Sequence, residues 1–167
     1  MSIKRIARHL LAHHWRVRRI FPPEVLARIA QAIRAGEATH AGQVRFVVEG
    51  ALDGRPLLRN QPARERALDL FAQLRIWDTA HNNGVLIYLL LADRAIEIVA
   101  DRGLARTVSD AQWSAVMAPL RTALAAGEFE AGLTAAVDAV AALLSARFAQ
   151  APGARDENEL PDRPRLI

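Results

Sequence analysis

Residues 78–84 read Asp-Thr-Ala-His-Asn-Asn-Gly and run straight into Val85-Leu86-Ile87-Tyr88-Leu89-Leu90-Leu91, apolar at every position. A carboxylate, an imidazole and two amides at such a mouth could coordinate a cation or hold an anion. The run behind them is rich in β-formers and follows Asn-Gly, so it reads as a central strand buried on both faces. Binding residues are commonly carried on loops that a rigid element of this kind positions.

Two further polar groups join this one once the elements are placed. Glu37 and His40 precede a second β-rich run, and Asp101-Arg102-Gly103 follows a third. Parallel pairing of the first two runs brings Glu37, His40, Asp78, His81, Asn83 and Asp101 to one end of a sheet. Their oxygens would suit Ca²⁺ or Mg²⁺, and the histidines would admit Zn²⁺. The competing explanation is ordinary turn and cap chemistry, which Asn83-Gly84 and Asp101-Arg102-Gly103 would also satisfy. No paired-histidine helix or loop of alternating acids accompanies them.

The opposite end collects Glu49, Asp93 and Arg94, with Asp53, Arg55 and Asn60 nearby. In open α/β sheets ligands favour the carboxyl ends of parallel strands, which makes Glu49, Asp93 and Arg94 candidate ligand-binding residues. A solvated hairpin tip is the plainer alternative. Residues 49–54 contain glycines but lead to Pro56 rather than a helix, so they are not a phosphate loop. Ser109 has capping-box spacing to Gln112 and reads as a helix cap. With no cysteine, thiolate metal sites, disulfides and a cysteine nucleophile are excluded.

The elements that must hold these groups follow from periodicity. Pro23 opens a helix with Val25, Leu26, Ile29, Ala30 and Ile33 on one stripe. Residues 44–49 form a strand with Val44, Phe46 and Val48 on one face. Pro62 opens a helix whose stripe is Ala67, Leu70, Phe71, Leu74 and Trp77. After the buried strand, Asp93-Arg94 makes a tight hairpin into residues 96–99, with Asp supplying the positive φ. Two helices follow, one from Ser109 to Gly127 with Pro119 inside it, and one carrying Phe129, Leu133, Val137, Val140, Leu144 and Phe148. Strand, helix and strand with a short return implies a right-handed parallel crossover plus an antiparallel neighbour. The expectation is a three-layer α/β/α sandwich around a small mixed β-sheet of about three or four strands.

The chain divides into a basic amphipathic N-terminal arm (1–22), the α/β domain (23–150) and a Pro- and charge-rich tail (151–167) expected to be disordered. The arm holds Lys4, Arg5, Arg8, Arg16, Arg18 and Arg19 and no acid, so the net charge of +4 leaves the remainder near neutral. Ile3, Ile6, Ala7, Leu10, Leu11 and Val17 fall on one helical face. Such an arm either packs on the body with solvated arginines or docks on an anionic membrane surface. A basic arm on a near-neutral body is a poor nucleic-acid footprint. The longest apolar run is too short for a transmembrane span, and no signal-peptide core is present. A cytoplasmic protein, at most peripheral to the inner membrane face, is the expectation.

Residues 37–49 (Glu-Ala-Thr-His-Ala-Gly-Gln-Val-Arg-Phe-Val-Val-Glu), then 78–91 with their Asn-Asn-Gly-Val-Leu-Ile core, then Asp93-Arg94 and Asp101-Arg102-Gly103 resemble the TPM domain family, over roughly residues 24–148. The resemblance implies an α/β/α sandwich. It also implies a divided set of activities. One branch is described as acid phosphatases, some members as divalent-cation binders, and some as accessory proteins of membrane complexes. Many bacterial members carry a signal peptide and a C-terminal membrane helix; this chain looks like the short form without them. Glu37, Asn83, Gly84, Asp93, Arg94, Asp101 and Gly103 are the matching positions, implied to form a metal or phosphate site. The leading expectation is therefore an accessory domain that binds a divalent cation or a membrane-protein partner. Its rivals are a metal-assisted phosphatase, with Asp78, Asp101 and Glu37 as ligands and His81 as proton donor, and a peripheral membrane protein.

Overall fold

The apolar run behind Asn83 is strand β2 (Gly84–Leu90), and every residue in it is buried. It pairs in parallel with β1 (Gln43–Glu49), Gln43 opposite Gly84 and Glu49 opposite Leu90. On its other side it pairs antiparallel with β3 (Ala95–Ala100), Val85 opposite Ala100. A short fourth strand, β4 (Arg165–Leu166), lies parallel to β1, giving the order β3-β2-β1-β4. The computed structural model describes residues 3–12, 14–149 and 159–167, with the side chains of 14–16 excepted.

The pleat sorts side chains to two cores, because alternate residues of a strand face opposite ways. Val44, Phe46, Val48, Val85, Ile87 and Leu89 face helices α3 (Pro23–Glu37), α7 (Asp110–Ala126) and α8 (Phe129–Ser145). Val47, Leu86, Tyr88 and Leu90 face α5 (Ala63–Gln73) and the short α4 (Gly54–Leu58). The result is a three-layer α/β/α sandwich around an open mixed sheet. Ser109 and Gln112 form the capping box expected of them, and Gly127 ends α7 at φ 83°.

Four local expectations are corrected. The stripe drawn to Trp77 breaks because α5 ends at Gln73 and Arg75 turns the chain at φ 55°. Ile76 fills the core instead, and Trp77 is 47% exposed, with the Arg75 guanidinium 6.0 Å from its ring centroid. In the β2–β3 hairpin the positive φ falls on Arg94, at 51°, and not on Asp93, whose side chain is fully engaged. Part of the connection after β1 is helical, α4, and buries Leu52 and Leu57.

The fourth correction concerns the tail. Residues 150–158 lie outside the described residues, but 159–167 are ordered against the open edge of β1. The Ile167 N–H donates to Val48 O at 2.9 Å and the Gly50 N–H to Ile167 O at 3.0 Å. The Arg45 guanidinium donates to the carbonyls of Pro161 and Arg163, and Leu160 is buried. A tail with little to bury gains order here by satisfying an edge strand and a buried cation, neither of which shows in its own composition.

Candidate functional site

The loop end of the sheet is built by close backbone approach. A Cβ on Gly84 would lie 2.1 Å from Ile76 O, and one on Gly103 would lie 2.5 Å from Asn82 O. Both glycines therefore let the 76–83 loop fold flat onto the strand ends. The Gly103 N–H donates to Asn82 O and the Asp101 N–H to Gly84 O, both at 2.9 Å. Asn82 takes φ 51° and accepts from Arg102 Nε at 2.8 Å. The Asn83 N–H donates to Thr79 Oγ1 at 3.1 Å, and the Ala80 N–H to the Glu159 carboxylate at 3.0 Å.

Within this frame the six candidate ligands divide. Glu37 Oε1 accepts the Val44 N–H at 3.0 Å, and His40 Nδ1 accepts the Gly42 N–H at 3.2 Å, so both act as local braces. Asp78 pairs with Arg75 at 2.6 Å on the surface, and His81 is exposed. Asn83 is fully buried and donates to Ala41 O at 2.9 Å. Asp101 uses Oδ1 as the N-cap of α6 (Arg102–Ala105), accepting the Arg102 N–H at 2.7 Å. Their other oxygens, Asn83 Oδ1 and Asp101 Oδ2, are buried with no hydrogen-bond partner among the described residues. Among the described residues, no three His, Asp or Glu side chains gather where they could hold one metal ion.

The opposite end is gathered by partners within the chain. Glu49 is buried in a fork from Arg66 (Nε to Oε2, 2.9 Å; Nη2 to Oε1, 2.8 Å) and also accepts the Tyr88 hydroxyl at 2.6 Å. Burial, and then the neighbouring Glu49 charge, push the Tyr88 phenol far above its ordinary range, so it stays a donor.

Asp93 is held by the arm. Helix α1 (Ile3–Leu10) presents Arg5, Arg8 and His9 to it, and α2 (His14–Ile20) follows, with Val17 and then Phe21 entering the core. Arg5 Nη2 donates to Asp93 Oδ2 and to Gln61 O, each at 2.7 Å, and Nη1 donates to Asn60 Oδ1 at 2.7 Å. His9 is buried. Its Nδ1 accepts the Leu52 N–H at 2.8 Å, which leaves the proton on Nε2 to face Asp93 Oδ1 at 3.1 Å. Burial alone would raise the Asp93 pKa, but the hydrogen bonds from Arg5 and His9 outweigh it and hold the carboxyl down at about 2. Arg94 projects into solvent. Of the remaining arm residues, Lys4, Arg18 and Arg19 are exposed, and the Arg16 side chain lies outside the described residues.

His9, Arg66 and Tyr88 escaped the sequence reading. A signal for His9 was present: with Arg5 and Arg8 it forms the polar face of α1, opposite Ile3 and Leu10. Arg66 and Tyr88 carried none, because their meeting with Glu49 depends on how α5 crosses the sheet. No helix among the described residues is long and apolar enough to cross a membrane.

No curated protein matches the chain. Among solved structures it is similar to the BA42 protein of the psychrophilic bacterium Bizionia argentinensis, determined by NMR. The TM-score is 0.76 at 27% identity, over 86% of this chain and 93% of that one. The sequence pattern of the TPM domain matches residues 18–143, from the second arm helix to near the end of α8. That span includes both ends of the sheet described above, and the chain belongs to the TPM domain family.

Proposed function

We propose that this chain is a non-catalytic accessory domain that binds a divalent cation at the loop end of the sheet through Asp101. The observation that carries this reading is the buried Asp101 Oδ2, a carboxylate oxygen with neither a hydrogen-bond donor nor a counter-ion beside it among the described residues. Burying such an oxygen uncompensated is costly, and a cation is the partner that would relieve it. Asn83 Oδ1, on the neighbouring strand end, is a second buried oxygen with an unused acceptor site. The donors on offer are oxygens, which favours a hard ion such as Ca²⁺ or Mg²⁺ completed by water. When bound, the ion would neutralise Asp101 and brace the 101–103 turn against the 79–83 loop.

The hydrolase alternative draws less support. Asp78 is spent on Arg75 at the surface, and Glu37 is spent on the Val44 N–H. Metal-assisted hydrolysis needs ligands converging on one point, with a proton donor within reach of the substrate.

Thermal unfolding of metal-stripped protein tests the reading. At a hundredfold excess over its dissociation constant, Ca²⁺ or Mg²⁺ should add about 2.7 kcal/mol. For a domain of this size that is roughly 5–10 °C in Tm. Asp101→Asn keeps the cap acceptor and should abolish the shift. Without metal, that variant should match or exceed the wild type in Tm, since a buried uncompensated charge is gone. No shift with either ion overturns the proposal.

A further inference from the structure

Helix α1 is mounted inside out. A surface helix normally turns its apolar stripe to the core and its charges to water. Here the charged face is turned inward: Arg5 and Arg8 close on Asp93, and His9 is buried between Asp93 and the Leu52 N–H. The apolar face is turned outward. Ile3 is 83% exposed, and Leu10 and Leu11 are each 71% exposed. Ile3 and Leu10 lie seven positions apart, which places them one above the other two turns along the helix, with Ala7 exposed between them. This orientation is not loose, because three side chains on one helix face converge on a single carboxylate.

Cations dominate the arm that carries the stripe; the acids that share the groove beside Leu11 are Glu128, Glu130 and Asp138, on and just before α8, and Glu130 is paired with Arg28. Residues 1–20 contain six basic residues and no acid. Lys4 and Arg18 are exposed, Arg8 keeps more than half of its side chain in solvent, and Arg94 projects from the hairpin next to Asp93. Asp93, the acid that Arg5, Arg8 and His9 contact, is neutralised within the cluster. An apolar ridge bordered by cations and anchored from behind complements an anionic bilayer. The leucine and isoleucine side chains would enter the acyl boundary while the rim meets lipid headgroups.

We propose that the outward apolar face of α1 is a docking surface for an anionic lipid membrane, on which the domain rests without spanning it. This goes beyond the cation site and is independent of it. It also reverses the basis on which the arm would bind. The arginines expected to contact lipid are partly committed to Asp93, and Ile3, Leu10 and Leu11 make the insertion.

The test is sedimentation of the full chain with vesicles of phosphatidylcholine containing about a third phosphatidylglycerol, against phosphatidylcholine alone. The wild type should partition onto the anionic vesicles, more weakly onto the neutral ones, and retain part of its binding in high salt, since only the charged rim is screened. Ile3→Gln with Leu10→Gln keeps every charge and should weaken binding to anionic vesicles at least about tenfold, because two well-exposed side chains no longer gain by leaving water. Both positions are well exposed, so an unchanged Tm should show that the fold is intact. Equal binding by that variant would reduce the arm to electrostatics and overturn the proposal, as would absence of wild-type binding. A concentration-dependent dimer without lipid, abolished by the same two substitutions, would assign the face to a second copy of the chain and overturn it as well.

Discussion

Asp93→Asn is the sharpest probe of how the arm is attached. The substitution keeps the shape of the side chain and removes the charge that Arg5, Arg8 and His9 share. The fall of the carboxyl from its ordinary 3.8 to about 2 corresponds to about 2 kcal/mol of preference for the charged form in the folded protein. At pH 7 Asp93→Asn should therefore lose about 2 kcal/mol, or somewhat more, because Arg5 is left mostly buried beside a neutral amide. The folded-state pKa is depressed, so this contribution is complete above the unfolded value near 4 and disappears as pH falls through 2. The gap between wild type and variant should accordingly close between about pH 5 and pH 2.

A local readout is available, because the Leu52 amide is bonded to His9 Nδ1 at 2.8 Å and is covered only while the arm is docked. Its hydrogen exchange at neutral pH should quicken about thirtyfold for a loss of 2 kcal/mol, whereas amides in the middle of β2 should respond less. Urea unfolding gives the global number. A difference under about 0.5 kcal/mol at pH 7 would mean that the ion pairs behave as solvated surface pairs. A difference that does not change between pH 5 and 2 would mean that the charge is not the cause. Either result refutes the clamp.

Three other outcomes follow from the packing. Gly84→Ala puts a methyl group against the Ile76 carbonyl, 2.1 Å away, and should cost about 2–4 kcal/mol in chemical denaturation; a cost near zero would mean that the 74–83 loop can lift freely. Glu49→Gln strands the Arg66 guanidinium inside the sandwich and should cost about 3 kcal/mol, against about 1 kcal/mol for Tyr88→Phe. Equal losses would show that the hydroxyl, not the ion pair, dominates that cluster. Removing residues 159–167 bares the β1 edge and leaves the Gly50 N–H and Val48 O without their partners, so the truncated chain should self-associate in sedimentation velocity. A monomer with unchanged Tm would show that the tail strand protects nothing.

Much of the fold was legible in the chain because its signals are local. The unbroken run from Val85 announces a strand buried on both faces, and Ser109 with Gln112 announces a helix start. The crossover rule then leaves few ways to join the strands, and the polar residues fall at the two sheet ends as that order requires. What these residues do at those ends was not local. Glu49 and Asp93 look alike as acids at one end of the sheet, yet one is claimed by Arg66 across a helix–sheet contact and the other by an arm more than eighty residues away. The inward turn of Arg5, Arg8 and His9 also lay beyond any periodicity argument. An amphipathic pattern fixes which residues share a face, whereas the direction that face points depends on what waits to receive it. Here the half-buried Asp93 carboxylate and the Leu52 N–H received the polar side. The same reasoning covers the tail: composition reports what a segment can bury by itself, and only the assembled sheet supplied the edge that residues 159–167 complete.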